Sequence, residues 1–318
     1  MSQVTPLPKD VYLMLTDYSS DRDIINMLSV NKKYNDPIFF RRIITKRYPA
    51  LIKLKRAKES WKTFYLRMIY YLSLLKDKYD IDYINIPSFD PFSLYKKLLI
   101  GISRKFLLSE YIGETADKNK IESFLKGIRR GEDLYVFNIL NGIAKSGNLK
   151  LFKEYEVYLP HFNNLLLIKN AILSQNPEMI EYVSDKVRAL PNISITDIIE
   201  MQMAAASILN DIAQFKIYEE QIKSRVSPED LKWIYVPLIS DILESKNLFL
   251  FKYFIDNKLL NLSTISDYFL QFLVIAHTDK DIELIKYFFK HLEPEAKQKF
   301  LKRIGEKLVD KYILPYLR

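Results

Sequence analysis

The stretch "GIAKSGNLKLFKEY", residues 142–155, holds the end of one apolar run, a Gly-Asn pair, and the start of a second run. An Asn in that place can cap a new helix, its side chain accepting from the free N–H groups of the first turn. Four later segments superimpose on it: "NAILSQNPEMIEYV" (170–183), "ASILNDIAQFKIY" (206–218), "DILESKNLFLFKYF" (241–254) and "AHTDKDIELIKYFF" (276–289). Their anchors are Asn148, Asn176, Asp211, Asn247 and Asp281, separated by 28, 35, 36 and 34 residues. Four residues after each anchor stands Phe152, Ile180, Phe215, Phe251 or Ile285. An aromatic follows two or three residues on, at Tyr155, Tyr182, Tyr218, Tyr253 and Tyr287. The pattern predicts a helix, a short turn and a second helix, with the anchor capping the second. One such hairpin cannot bury its apolar stripe alone, so hairpins stack and share a continuous core.

A period near 33 with Ala, Gly-Asn and then an apolar residue resembles the ankyrin repeat, "AKSGNLKLFKEY" most closely. The "TPLHxA" signature of that family is absent, and no Gly-containing hairpin separates the repeats. The resemblance implies diverged ankyrin-like hairpins whose concave face binds a protein target.

Outside the repeats the periodicity is helical as well. Trp61, Phe64, Tyr65, Met68, Ile69, Leu72 and Leu75 recur every three or four residues as one stripe. Strand-like alternation is rare, "YINIP" at 83–87 being the best case. The expected fold class is all-α, with residues 1–50 as a small N-terminal unit, 51–130 as a basic helical linker region and 131–318 as helical repeats.

The N-terminal unit reads as three short helices. Leu7-Pro8 opens the first, since proline suits a first-turn position where its missing N–H costs nothing. Val11, Met14, Leu15 and Tyr18 form its stripe. Ser20 with Asp23 three residues on makes a capping-box start for the second helix, which carries Ile24, Ile25, Leu28 and Val30. Asp36-Pro37 opens a third with Phe39, Phe40, Ile43 and Ile44. So small a unit hides little surface and calls for a partner, either the helix beginning near Trp61 or another protein.

Leu7-Pro8, Asp23-Ile24 and "VNKKY" at 30–34 resemble an F-box, with Asn31 where Cys is usual and Phe39-Phe40 where a Trp is common. The run from Lys46 to Tyr79 is similar to the linker of F-box-like, ankyrin-containing proteins of large DNA viruses of protists. That resemblance implies an adaptor: the F-box docks on the Skp-type subunit of a host cullin ubiquitin ligase while the repeats hold a target. The Skp-facing residues it implies are Leu7, Pro8, Val11, Leu15, Ile24, Leu28 and Val30. The setting it implies is host cytoplasm or nucleus.

Charge supplies a second reading, a basic nucleic-acid-associated or virion scaffold protein with no ligase link. The chain carries +9 overall, yet from Lys32 to Lys78 fourteen Lys and Arg face only Asp36, Glu59 and Asp77. Arg41, Arg42, Lys46, Arg47, Lys53, Lys55, Arg56 and Lys58, interleaved with aromatics, form a candidate patch for nucleic acid or an acidic protein partner. Their structural alternative is a solvated helix face over an aromatic core.

No chemistry-bearing motif appears. His161, His277 and His291 are the only histidines and are not spaced as ligands. Cysteine is absent, which excludes disulfides, thiolate nucleophiles and cysteine-rich metal sites. Walker, Rossmann, GxSxG and HExxH patterns are missing. Seven glycines are too few for Gly-rich phosphate loops. A non-enzymatic protein with neither cofactor nor metal is expected. The start shows no secretory pattern, and no apolar run nears the roughly 20 residues a membrane helix needs.

Overall fold

The computed structural model describes residues 19–30, 37–128, 133–158 and 165–304. Every regular element among them is helical, and "YINIP" forms no strand. The chain divides into two units, residues 1–95 and 96–318.

In the first unit lie α1 (Asp21–Val30), α2 (Pro37–Arg47), a 3-10 turn (Pro49–Leu54) and α3 (Trp61–Tyr79), followed by the start of α4 (Pro91–Leu99). The Ser20 hydroxyl accepts from the Asp23 N–H at 3.2 Å while Asp23 accepts from the Ser20 N–H at 3.0 Å, the capping box read from the sequence. Phe39, Phe40, Ile43 and Ile44 of α2 are buried, as are Phe64, Tyr65, Met68 and Leu75 of α3, while Trp61, Ile69 and Leu72 are half-buried. Phe40 and Tyr65 meet at 5.6 Å between ring centroids. α1 joins this core through the buried Ile24 and through a carboxylate. Asp21 accepts from the Tyr65 hydroxyl at 2.7 Å, from Arg47 at 3.0 Å and from the Tyr48 hydroxyl. Burial and the Asp21 charge push both tyrosine hydroxyls well above their ordinary pKa, so each stays a donor.

The second unit is a stack of hairpins. Among the described residues six pairs follow one another: α5 (Arg104–Glu114) with α6 (Lys118–Lys126), α7 (Asp133–Ser146) with α8 (Leu149–Tyr155), and α9 (Leu165–Leu173) with α10 (Pro177–Arg188). Then come α11 (Ile195–Leu209) with α12 (Ile212–Lys223), α13 (Pro228–Glu244) with α14 (Leu248–Asp256), and α15 (Leu262–Ile275) with α16 (Asp279–His291). The chain continues into α17 (Pro294–Ile304). The first helix of each pair packs on the first helix of the next, so α5, α7, α9, α11, α13 and α15 form one layer.

The turns explain the repeat. Asn148, Asn176, Asp211 and Asn247 each cap the helix they precede, as the spacing predicts. Immediately before each stands a residue of positive φ: Gly147 (75°), Gln175 (56°), Asn210 (59°) and Lys246 (59°). The stack thus reuses one two-residue turn, a left-handed residue followed by a cap. The caps also tie neighbours together, since Asn176 donates to the Gly147 carbonyl and Asn247 to the Ser207 carbonyl, both at 2.8 Å.

Three expectations are corrected. In the fifth aligned segment Thr278 is the cap, and Asp281 sits at the third helical position, completing a capping box. In α10 the core position falls to Met179, fully buried, and not to the half-buried Ile180. The stack also starts earlier than residue 131. α5 and α6 form a further hairpin inside the expected linker, joined by the same turn, Ala116 (φ 50°) and the cap Asp117. Its contact with the next pair needs two glycines. A Cβ on Gly142 would lie 2.1 Å from the Glu110 carbonyl oxygen, and one on Gly113 would lie 2.1 Å from that of Ile139. Backbone here approaches backbone, and no side chain fits between them.

Three of the five aligned tyrosines have a shared task as well. Tyr182 donates to Glu156 at 2.7 Å, Tyr253 to Glu219 at 2.8 Å, and Tyr287 to Asp256, each acceptor lying in the preceding hairpin. Lys153, Lys216 and Lys252 lie over those rings at 4.4, 5.7 and 5.2 Å. At the rung toward Tyr218, Glu181 holds the lysine's place. Glu219 is fully buried and also accepts from Tyr235 at 2.5 Å. Burial and this carboxylate push the Tyr253 hydroxyl up to about 12.

Candidate interaction surface

Two surfaces stand out, one in each unit, and each contains one of the chain's two tryptophans.

In the first unit, Arg41 projects from α2 and Lys55 from the segment before α3. Their cationic groups lie 5.7 and 5.2 Å from the Trp61 ring centroid. Such cations are held by the negative face of the indole. Arg42 and Lys46 are exposed on α2, and Lys58 is exposed just before Trp61. The other members of the sequence-predicted patch go elsewhere. Arg47 turns inward to Asp21, and Lys53 donates to the Pro87 carbonyl. Arg56 is half-buried beside Glu59. Glu59 itself pairs with Arg67 at 2.7 Å; burial would raise its pKa, but the bonds and charge of Arg67 outweigh that and hold it below the usual range. Arg67 also packs over Phe92 at 4.1 Å. The basic block therefore separates into structural cations and a cluster about Trp61.

Of the residues expected to face a Skp-type subunit, Ile24 is fully buried within the chain. Leu7, Pro8, Val11, Leu15 and the side chains of Leu28 and Val30 lie outside the described residues. Beside α1 a hollow of about 500 Å³ opens to solvent, its apolar walls formed by Ile25, Tyr48, Ile69, Leu72, Ile81 and Tyr83.

In the second unit the outer side of the first-helix layer has a regular relief. Leu166, Met201 and Pro237 each stand ten residues before the caps Asn176, Asp211 and Asn247, so they line up across α9, α11 and α13. Leu166 and Pro237 are exposed and Met201 half-buried. One turn further along, Lys169 of α9 pairs with Asp241 of α13 at 3.1 Å. This pair passes over α11, where Ala204 and Ala205 are buried and small enough to leave it room. Trp233 stands one turn before Pro237 and is 76% exposed. Indoles are rarely left in water without a use, and Trp is enriched among residues that dominate binding energy. The sequence contained this signal in the mid-helix "WIYVP", where proline removes the N–H that would bond the Trp233 carbonyl. Only the fold, however, shows which side of α13 faces water.

Among the described residues no three His, Asp or Glu side chains gather as a metal site, and no helix is long and apolar enough to cross a membrane. Comparison with protein-family models, curated proteins and solved structures finds no match to this chain.

Proposed function

We propose that this protein is an interaction adaptor without an active site of its own. Its hairpin stack holds a protein target, and its N-terminal segment docks on a Skp-type subunit of a host cullin ubiquitin ligase. Ligation then follows from proximity within the complex. The observation that carries the reading is the stack itself: among the described residues six hairpins, five of them closed by one shared turn, present an uninterrupted layer of first helices. The F-box-like sequence pattern and the apolar hollow beside α1 support the ligase half of the proposal. On this reading the chain is a product of a large DNA virus and works in the host cytoplasm or nucleus.

The test is capture from host-cell lysate by the purified chain, comparing wild type with Leu7→Ala/Pro8→Ala. Skp and cullin subunits retained by the first and lost by the second is the expected result. Their absence from both would remove the ligase link.

One observation favours a second reading, that of a nucleic-acid-associated protein. Arg41 and Lys55 converge on Trp61, and Arg42, Lys46 and Lys58 are exposed on the same segment of chain. Because that indole already holds two cations of its own chain, contacts would go to phosphates and not to stacked bases. Binding to duplex DNA would then fall steeply with salt, as released counterions demand.

A further inference from the structure

The surroundings of Trp233 are acidic in a chain whose total charge is +9. Glu229 and Asp230 lie four and three residues before it, hence on the same face of α13, one turn away. Asp197 of α11 stands fourteen residues before its cap Asp211, level with Trp233, which stands fourteen before Asn247. One turn along, Glu200 stands eleven before Asp211, and Asp267 of α15 eleven before Thr278, on the two helices flanking α13. Burial and the Asp197 charge raise the pKa of Glu200. Lys232, the nearest base in sequence, points about 100° away around the helix. The only cation described on the strip, Lys169, is committed to Asp241.

This relief has a direction and a length. Trp233 lies at the α13 end with Glu229, Asp230 and, on α15, Asp267; Pro237, Met201 and Leu166 lead away from it, with Asp197 and Glu200 beside Met201 on α11. Two interhelix spacings of about 8–10 Å give a strip about 16–20 Å long. Extended chain rises about 3.3 Å per residue, so five or six residues would fill it.

We propose that this strip is the target-binding site of the stack. It takes a short extended protein segment whose Arg or Lys stacks on Trp233 among the carboxylates, while aliphatic residues lie along Pro237, Met201 and Leu166. The proposal rests on the adaptor reading and assigns its target a chemistry: basic at one end, aliphatic along the rest. Cation on indole is the strongest of the aromatic–cation pairs, and the acids add steering toward a basic partner and away from an acidic one.

The test uses the full chain and two synthetic decapeptides, one alternating Leu and Arg, the other alternating Leu and Glu. In a Trp61→Phe chain Trp233 is the sole indole, and its emission reports occupancy. The Leu–Arg peptide is expected to change that emission saturably and the Leu–Glu peptide to leave it unchanged. Glu200→Gln/Asp267→Asn should weaken the Leu–Arg affinity at least tenfold. In a Trp233→Phe chain, Trp61 should give no response. Equal responses to both peptides, an affinity untouched by the carboxamide pair, or an equal response from Trp61 would each overturn the proposal. Should Trp61→Phe fail to fold, calorimetry of the Leu–Arg peptide with wild type and with Trp233→Ala replaces emission, and heat surviving in the variant overturns the proposal. Skp capture is scored separately, so a silent Trp233 with intact capture removes this site and leaves the ligase link standing.

Discussion

Trp61 and Trp233 show how one residue type serves opposite ends in two units of a chain. Trp61 opens α3, half-buried, with Arg41 and Lys55 over its ring in a basic neighbourhood. Trp233 stands in the middle of α13, 76% exposed, among carboxylates. The first indole has spent its π-face on its own chain and helps fix the loop before α3 to α2. The second has kept its face open. The units around them differ in the same way. The first is assembled from unlike parts around one core and one shared carboxylate, whereas the second repeats one turn along the stack.

That contrast gives four expectations for unfolding in urea. The largest effect falls on the joint of the first unit. Asp21→Ala removes the Arg47 ion pair and takes the shared acceptor from the hydroxyls of Tyr48 and Tyr65, and should cost about 3 kcal/mol. A loss under about 1 kcal/mol would mean that α1 is held by its apolar face alone. Next, Trp61→Ala should cost about 2 kcal/mol, through lost packing and the two cation contacts; a neutral outcome would make Trp61 as dispensable as Trp233 and dissolve the contrast. In the stack, Gln175→Gly relieves a left-handed residue that is exposed, and a gain of about 1 kcal/mol is expected. Destabilisation there would show that the Gln175 side chain has a structural task. Smallest of all, Trp233→Ala should change stability by less than about 0.5 kcal/mol, as exposed substitutions do. A larger cost would mean that the indole supports the fold and is not reserved for a partner.

Much of the stack was legible before any coordinates. Asn148, Asn176, Asp211 and Asn247 are caps because a side-chain acceptor placed just after an apolar run has few other uses, and that is local chemistry. The Ser20–Asp23 box was legible for the same reason. The hairpin of α5 and α6 escaped because its turn, Ala116-Asp117, lacks the glycine or amide that marks the others, although Asp117 lies 31 residues before Asn148, within the range of the repeat. At the last turn Asp281 aligns with the other anchors although Thr278 is the cap, since a capping box places two side-chain acceptors three residues apart and sequence alone does not say which one sits outside the helix.

What the sequence determined by itself, then, is what depends on neighbours along the chain: helices by period, turns by cap, an all-α class and a repeat. Which of fourteen cations are structural, why Gly113 and Gly142 admit no side chain, and which tryptophan meets water were decided only by tertiary packing. Those properties depend on groups remote in sequence, as Arg47 is from Asp21 or Lys169 from Asp241, and no local pattern encodes a distance that the folded chain alone creates.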